Sequence, residues 1–175
     1  MRINNGKIKI GLFVSNDKVE VSIMHIVLVE PEIPGNTGNI ARLCAATNSE
    51  LHLVKPLGFS IEDKYLKRAG LDYWNLVKVH CHENFEEVLE LYQGYNFYYN
   101  TTKADKVYTE IEYRFDDLLV FGKETAGLPE RLLTANKANC IRIPMVDDAR
   151  SLNLSNAASI VVYEALRQQK FINLK

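Results

Sequence analysis

The sequence predicts an α/β fold: a largely parallel sheet with helices on both faces. Two observations carry this. After Met24, β-rich runs alternate with segments of helical apolar spacing, the order from which parallel sheets are built. The polar, turn-rich loops 31–39, 100–103, 122–128 and 144–151 also each follow a predicted strand, and the carboxyl ends of strands are where such folds bind ligands.

The elements follow in order. A strand at 25–29 stops at Glu30-Pro31. The next helix has Asn36 or Thr37 as its cap and carries Ile40, Leu43, Cys44 and Thr47 on one stripe. A strand is predicted at 51–54, a short helix over 63–69 ended by Gly70, and a strand at 76–79. A helix over 85–92 has Gly94 behind it, and a strand at 97–99 runs into Asn100-Thr-Thr-Lys103. Two more strands are predicted at 118–121 and 140–143, with Pro129 at a helix start between them, where its missing N–H costs nothing. The last helix, about 153–169, turns Leu154, Ala158, Val161, Val162, Ala165 and Leu166 inward.

Residues 1–23 differ. Stretches 7–14 and 18–23 alternate apolar and polar residues around Asn16-Asp17, the pattern of a hairpin. The segment reads either as an N-terminal extension or as sequence upstream of a true start at Met24, and the second is slightly favoured. Residues 24–175 read as a single domain.

The chain of 175 residues is long enough for one domain with a real core. No apolar run approaches the ~18 residues of a membrane span. Residues 10–14 are too short an apolar block for a signal peptide, so the expected location is the cytoplasm. The net charge of −1 gives no global support to nucleic-acid binding. Locally, Lys64, Lys67 and Arg68 cluster, and Arg142, Arg150, Arg167 and Lys170 lie around the C-terminal element. These read as a modest basic patch or as a solvated charged face. The three cysteines have no metal-ligand spacing. Strand alternation points His80 and His82 to one face and Cys81 to the other. With no second cluster in the sequence to complete a tetrahedral site, the His80-Cys-His82 cluster reads as a strand end with a buried cysteine, and no metal is expected.

Three loops are unusually rich in hydrogen-bonding groups. Gly35-Asn-Thr-Gly38 has neither the Gly-Lys-Ser/Thr ending of a phosphate loop nor the G-x-G-x-x-G pattern. It offers backbone N–H groups to an anion or is a plain capped turn. Arg42 falls outside the apolar stripe and faces either a cleft or solvent. In the second loop, Gly122 lets a ligand approach the backbone, Gly127 permits positive φ, and Glu124 caps or orients a neighbour. In the third, Arg150, Ser151, Asn153, Ser155 and Asn156 fall within seven positions, more polar groups than a structural connection needs. Tyr163 on the last helix suits a half-buried core or interface position.

Together these loops resemble the SPOUT class of RNA 2′-O-ribose methyltransferases. Asn36-Thr-Gly-Asn-Ile-Ala-Arg42 is similar to the first motif of that class and Phe121-Gly-Lys-Glu-Thr-Ala-Gly-Leu-Pro129 to the second. Ile141-Arg-Ile-Pro-Met145 with Arg150-Ser-Leu-Asn-Leu-Ser-Asn-Ala157 is similar to the third. Glu30-Pro-Glu-Ile-Pro34, Arg68-Ala-Gly-Leu-Asp-Tyr73 and the short length resemble the small tRNA wobble-position enzymes of the TrmL type. The resemblance implies a C-terminal deep trefoil knot, which patterning alone does not suggest. It also implies a homodimer that binds the tRNA anticodon stem-loop across both subunits. S-adenosyl-L-methionine is the implied methyl donor, held among Asn100, Thr101, Gly122, Ile143, Met145, Ser151 and Leu152. Asn100 stands where the family often has an apolar residue, and a contact through backbone atoms survives that change.

The implied reaction moves a methyl group from the cofactor to the ribose 2′-hydroxyl of nucleotide 34, cytidine or modified uridine. A sulfonium methyl leaves readily, so alignment is the main requirement. Arginine is a poor base at ordinary pKa, so Arg42 is cast as holding phosphate or stabilising the developing alkoxide. Ser155 and Asn153 organise the cofactor loop and the reacting ribose, and Glu124 fixes the second loop or holds Arg42. Asn36, Arg150 and Tyr163 are assigned to the RNA. Tyr73 or Trp74 offers a ring for stacking an anticodon base. The alternatives are the same chemistry at another tRNA position or on ribosomal RNA, and a catalytically silent RNA-binding dimer. A nucleotide-dependent oxidoreductase lacks its glycine fingerprint.

Overall fold

A parallel strand in the middle of a sheet is covered on both faces, so it must be apolar on both. Ile26–Val29 meets that requirement, and the whole strand His25–Val29 is buried, with one polar residue, His25, at its start. The computed structural model describes residues 24–61, 74, 76–172 and 174–175, together with the backbone of 12–15 and 18–21. In chain order the strands are β1 (Leu12–Ser15), β2 (Lys18–Val21), β3 (His25–Val29), β4 (Glu50–Val54), β5 (Val79–His82), β6 (Phe97–Asn100), β7 (Leu118–Phe121) and β8 (Cys140–Ile141). The helices are α1 (Pro34–Thr47), α2 (Phe85–Leu91), α3 (Glu130–Ala135) and α4 (Leu154–Gln168).

β1 and β2 pair antiparallel as a separate two-stranded sheet. The other six strands form one sheet in the order β5-β4-β3-β7-β6-β8, every pair parallel. Alternation sorts the side chains. Ile26, Leu28, Leu51, Leu53, Leu119, Phe121 and Ile141 join α1 and α4 in one apolar cluster. Val27, Val29, Val54, Leu118, Val120 and Cys140 join α2 and α3 in the other. Helices therefore cover both faces, as the sequence predicts. Among the described residues no helix is long and apolar enough to cross a membrane.

Several boundaries differ from expectation. β5 begins at Val79, where the sequence suggested 76–79. Leu76 is exposed, and the Val77 N–H turns back to the Trp74 carbonyl at 3.3 Å, so this apolar run closes a turn before the strand starts. β8 keeps only two residues before the chain leaves for the third loop. α1 starts at Pro34, and neither Asn36 nor Thr37 caps it. Both lie inside its first turn and are buried. The helix expected at 63–69, the basic cluster Lys64, Lys67 and Arg68, and Tyr73 lie outside the described residues. Trp74 is half-buried against the core.

Candidate active site

A cavity of about 550 Å³ opens at the carboxyl ends of β6, β7 and β8, a size suited to a small organic ligand. Its walls come from the loops at 100–103, 121–128 and 143–154, with Asn36 at one edge. All seven residues assigned to the cofactor line it: Asn100, Thr101, Gly122, Ile143, Met145, Ser151 and Leu152. Glu124, Asn153, Asn36 and Arg150 line it as well.

One hydrogen-bonded chain ties the three loops together. Glu124 accepts from the backbone N–H of Glu32 at 2.8 Å, from that of Ile33 at 3.2 Å and from Asn36 Nδ2 at 2.9 Å. Its carboxylate thus caps α1 from outside the helix and places a negative charge at the positive end of the helix dipole. Asn36 Oδ1 in turn accepts from Asn153 Nδ2 at 2.9 Å. Asn153 Oδ1 accepts from Ser155 Oγ at 2.7 Å and from the N–H groups of Ser155 and Asn156, so it caps α4. Ser155 is buried directly behind that cap.

A second exchange runs the other way. Glu32 Oε2 accepts from Thr125 N at 3.1 Å and Thr125 Oγ1 at 2.7 Å. Lys123 Nζ donates to Glu30 Oε2 at 2.8 Å, and that contact raises the pKa of Lys123. The segments 30–33 and 123–125 therefore grip each other through carboxylates on both sides. Glu32 was legible only as part of Glu30-Pro-Glu-Ile-Pro34. Its partner lies 93 positions away, beyond any local pattern.

Gly122 is required for a reason beyond ligand approach. A Cβ there would strike the Gly127 carbonyl and the Leu128 nitrogen, so the returning loop packs against the Cα of Gly122 while the residue stays on the cavity wall. Gly127 takes a φ of 68°, as its position in the turn predicts. Asn100 sends Nδ2 to the Val120 carbonyl at 3.5 Å, while its buried Oδ1 has no protein partner. An orphaned acceptor on a cavity wall is the kind of group a ligand satisfies. Asn100 thus offers a side-chain contact as well as the expected backbone one. Arg42, Ser155 and Tyr163 are not part of the cavity wall. Arg42 is exposed on α1, and Tyr163 is exposed on α4.

The four histidines, separated in sequence, come together on the α2 side of the sheet. His80 and His82 share a face, as alternation predicts, but Cys81 is exposed and not buried as expected, because the opposite face at this edge strand is open to solvent. His52 stacks on both, with ring centroids 4.7 and 5.3 Å away. His25 Nδ1 lies 3.0 Å from His52 Nε2, and His52 Nδ1 lies 3.0 Å from His82 Nε2. Burial lowers the pKa of His52 to about 2 and that of His25 to about 4, so both rings are neutral at pH 7. Burial alone would raise Glu50, but hydrogen bonds from Lys78 and His80 outweigh it and hold the carboxyl below its usual range. The sequence singled out only His80-Cys-His82, because His25 and His52 arrive through strand pairing.

Residues 23–163 match the SpoU rRNA Methylase family. The chain belongs to the SpoU methylase family. A tRNA (cytidine(34)-2′-O)-methyltransferase from Escherichia coli (strain K12) is 50% identical over 147 residues, which cover 83% of this chain and 94% of that protein. A solved structure described by the words "structural insights into the 2-OH methylation of C/U34 on tRNA" superposes with a TM-score of 0.82 at 42% identity, covering 86% of this chain and 98% of the other. The SpoU methyltransferase AviRb from Streptomyces viridochromogenes, solved in complex with the cofactor AdoMet, has a TM-score of 0.76 at 25% identity. That match covers 88% of this chain and 60% of AviRb. The three polar loops and their hydrogen-bonded chain, from Glu32 to Asn156, lie within the residues that match this family.

Proposed function

We infer that this chain transfers the methyl group of S-adenosyl-L-methionine to the ribose 2′-oxygen of nucleotide 34 in tRNA, cytidine or modified uridine. The observation that carries the reading is the Glu124–Asn36–Asn153 chain joining three loops around one cavity. The 50% identity to a tRNA (cytidine(34)-2′-O)-methyltransferase supports the substrate.

The cavity fits the methyl donor. Ile143, Met145 and Leu152 supply apolar walls, Asn100 Oδ1 an unsatisfied acceptor, and the 122–128 loop close-packed backbone. When bound, S-adenosyl-L-methionine supplies an electrophilic methyl on sulfur. The protein's task is then positioning. Glu124 fixes the second loop against the start of α1, and Asn153 and Ser155 hold the third loop at the start of α4. Arg42 binds phosphate or stabilises charge developing on the 2′-oxygen. Arg150 and Tyr163 face the RNA, while Asn36, assigned to the RNA from the sequence, is buried with both side-chain polar atoms bonded and orders the loops instead.

The same reading includes a homodimer, a trefoil knot, a single domain over residues 24–175 and work in the cytoplasm. Exposed Ile160 and Tyr163, three positions apart on α4, favour a partner surface there. Arg42 outside the cavity wall fits a site completed by a second copy. β8 lies at the far edge beside β6, whereas α4 returns to pack with α1, a crossing consistent with a knot.

The test is transfer of labelled methyl to tRNA lacking modification at nucleotide 34, followed by nuclease mapping. Label on the ribose of nucleotide 34 is the expected result. Label elsewhere in the RNA would reject the wobble assignment and keep the chemistry. Cofactor binding without any transfer would favour a silent RNA-binding dimer.

A further inference from the structure

All four histidines of this chain meet in one place, and the methyl-transfer reading uses none of them. They sit on β3, β4 and β5, on the opposite side of the sheet from β8 and its cavity. We propose that His25, His52 and Glu50 form a binding site for a divalent cation of the zinc type.

The three ligand atoms lie within 4.8 Å of one another. His25 Nδ1 is 3.0 Å from His52 Nε2 and 3.9 Å from Glu50 Oε2. Tetrahedral zinc, with bonds of ~2.0–2.2 Å, sets its ligand atoms about 3.3–3.5 Å apart. The two nitrogens need to part slightly and the carboxylate to close in. Two imidazoles and one carboxylate match the preference of zinc for nitrogen and oxygen donors, and leave a fourth position for water.

The surroundings are those of a metal site. A ligating histidine ordinarily donates its other ring N–H to a fixed acceptor, which sets its tautomer. His52 Nδ1 has that acceptor in His82 Nε2 at 3.0 Å. His82 Nδ1 lies 4.0 Å from Glu87 Oε2, a carboxylate that favours the tautomer with the proton on Nδ1 and Nε2 free to accept. One proton occupies the line between His25 and His52. Cation entry displaces it, and the ring that carried it keeps its proton on the other nitrogen, so both rings stay neutral and the proton count is unchanged. Glu50 is held from outside by His80 Nε2 and Lys78 Nζ, each at 2.9 Å. Its side chain is only 13% exposed, so the carboxylate is well placed to meet a cation. A bound ion would join β3 to β4 near the start of both strands.

The experiment uses the untagged full chain carrying Cys81→Ser, which removes the exposed thiol as a competing ligand. The protein is stripped with a chelator and titrated with Co²⁺ alone, then Zn²⁺ alone. The expected result is one equivalent bound per chain, visible Co²⁺ absorption bleached by Zn²⁺, and a higher Tm with metal. Glu50→Gln and His25→Asn should each weaken Zn²⁺ at least tenfold and abolish the Tm shift. Both residues lie shallower than His52, and melting of each metal-free variant checks that it folds. Absence of stoichiometric uptake, or equal uptake and stabilisation in the two variants, would overturn the site.

Discussion

Glu124 and Asn36, 88 positions apart, share a hydrogen bond of 2.9 Å that joins the second loop to the first turn of α1. Asn36 passes the connection to Asn153 and so to α4. A single half-buried carboxylate thereby sets the mutual position of three loops. Glu124→Ala removes three accepted hydrogen bonds and the cap of α1. It should cost about 1–3 kcal/mol in a urea melt and lower single-turnover methyl transfer at least about tenfold. Glu124→Gln should fall between the two, because its amide keeps one acceptor oxygen and turns an NH₂ toward backbone N–H groups.

Asn153 serves two elements, so its loss is felt in both. Asn153→Ala should reduce stability by about 1 kcal/mol through the lost cap of α4. It should also weaken S-adenosyl-L-methionine in calorimetric titration, because the third loop loses its tie to Asn36. An unchanged affinity would detach this residue from the cavity's organisation.

Arg42 separates binding from chemistry. It stands on α1 outside the cavity wall, so Arg42→Ala should leave cofactor affinity as it was. Methyl transfer should fall by about 10²–10³, the usual loss for one charge-stabilising donor. Near-normal turnover would remove Arg42 from the mechanism.

Two glycines give opposite outcomes on substitution. At Gly35, inside α1, an added Cβ meets nothing within 4 Å. Gly35→Ala should therefore raise stability by about 0.4–1 kcal/mol, by restricting the unfolded chain. At Gly122 the same methyl collides with the backbone of Gly127 and Leu128. Gly122→Ala should cost about 1–3 kcal/mol and abolish cofactor binding by opening the 122–128 loop. Thermal melts with and without S-adenosyl-L-methionine check both.

The pattern of what the sequence revealed has a physical basis. Clustered Asn, Ser, Gly and Arg are costly to place between apolar elements without a use, so all three loops were visible as a site. The alternation of strands and helices gave the parallel sheet. Partnerships across distant segments were not visible. Nothing near Glu124 says that its carboxylate caps α1, and the reader of Asn36 sees a local cap where the fold buries a relay. Gly122 lies on the cavity wall and also packs against its own returning loop, and only the first of these is legible in a sequence pattern. His25 and His52 meet only because β3 and β4 pair in one register, setting Val27 opposite His52. The start of β5 was misplaced because Leu76 and Val77 look like strand residues until the turn at Trp74 exposes the leucine.

Asp117 gives the protein a pH dependence of defined sign. It is fully buried just before β7, accepting from Asn96 Nδ2 at 2.9 Å and from the Arg114 N–H at 2.7 Å. Burial raises its pKa from 3.8 to about 6 despite those bonds. The folded state therefore holds this proton more tightly than the unfolded chain. The stabilisation is complete below the unfolded pKa near 4 and is lost as pH rises through about 6. His25 and His52, kept neutral by burial, act in the opposite sense as pH falls below 6.5, so the parent curve alone does not isolate Asp117. The difference between parent and Asp117→Asn does. Stability relative to the variant should decline by on the order of 2 kcal/mol between pH 4 and pH 7, measured by urea unfolding at each pH. A flat difference across that range would show that Asp117 ionises in the fold as readily as in the unfolded chain.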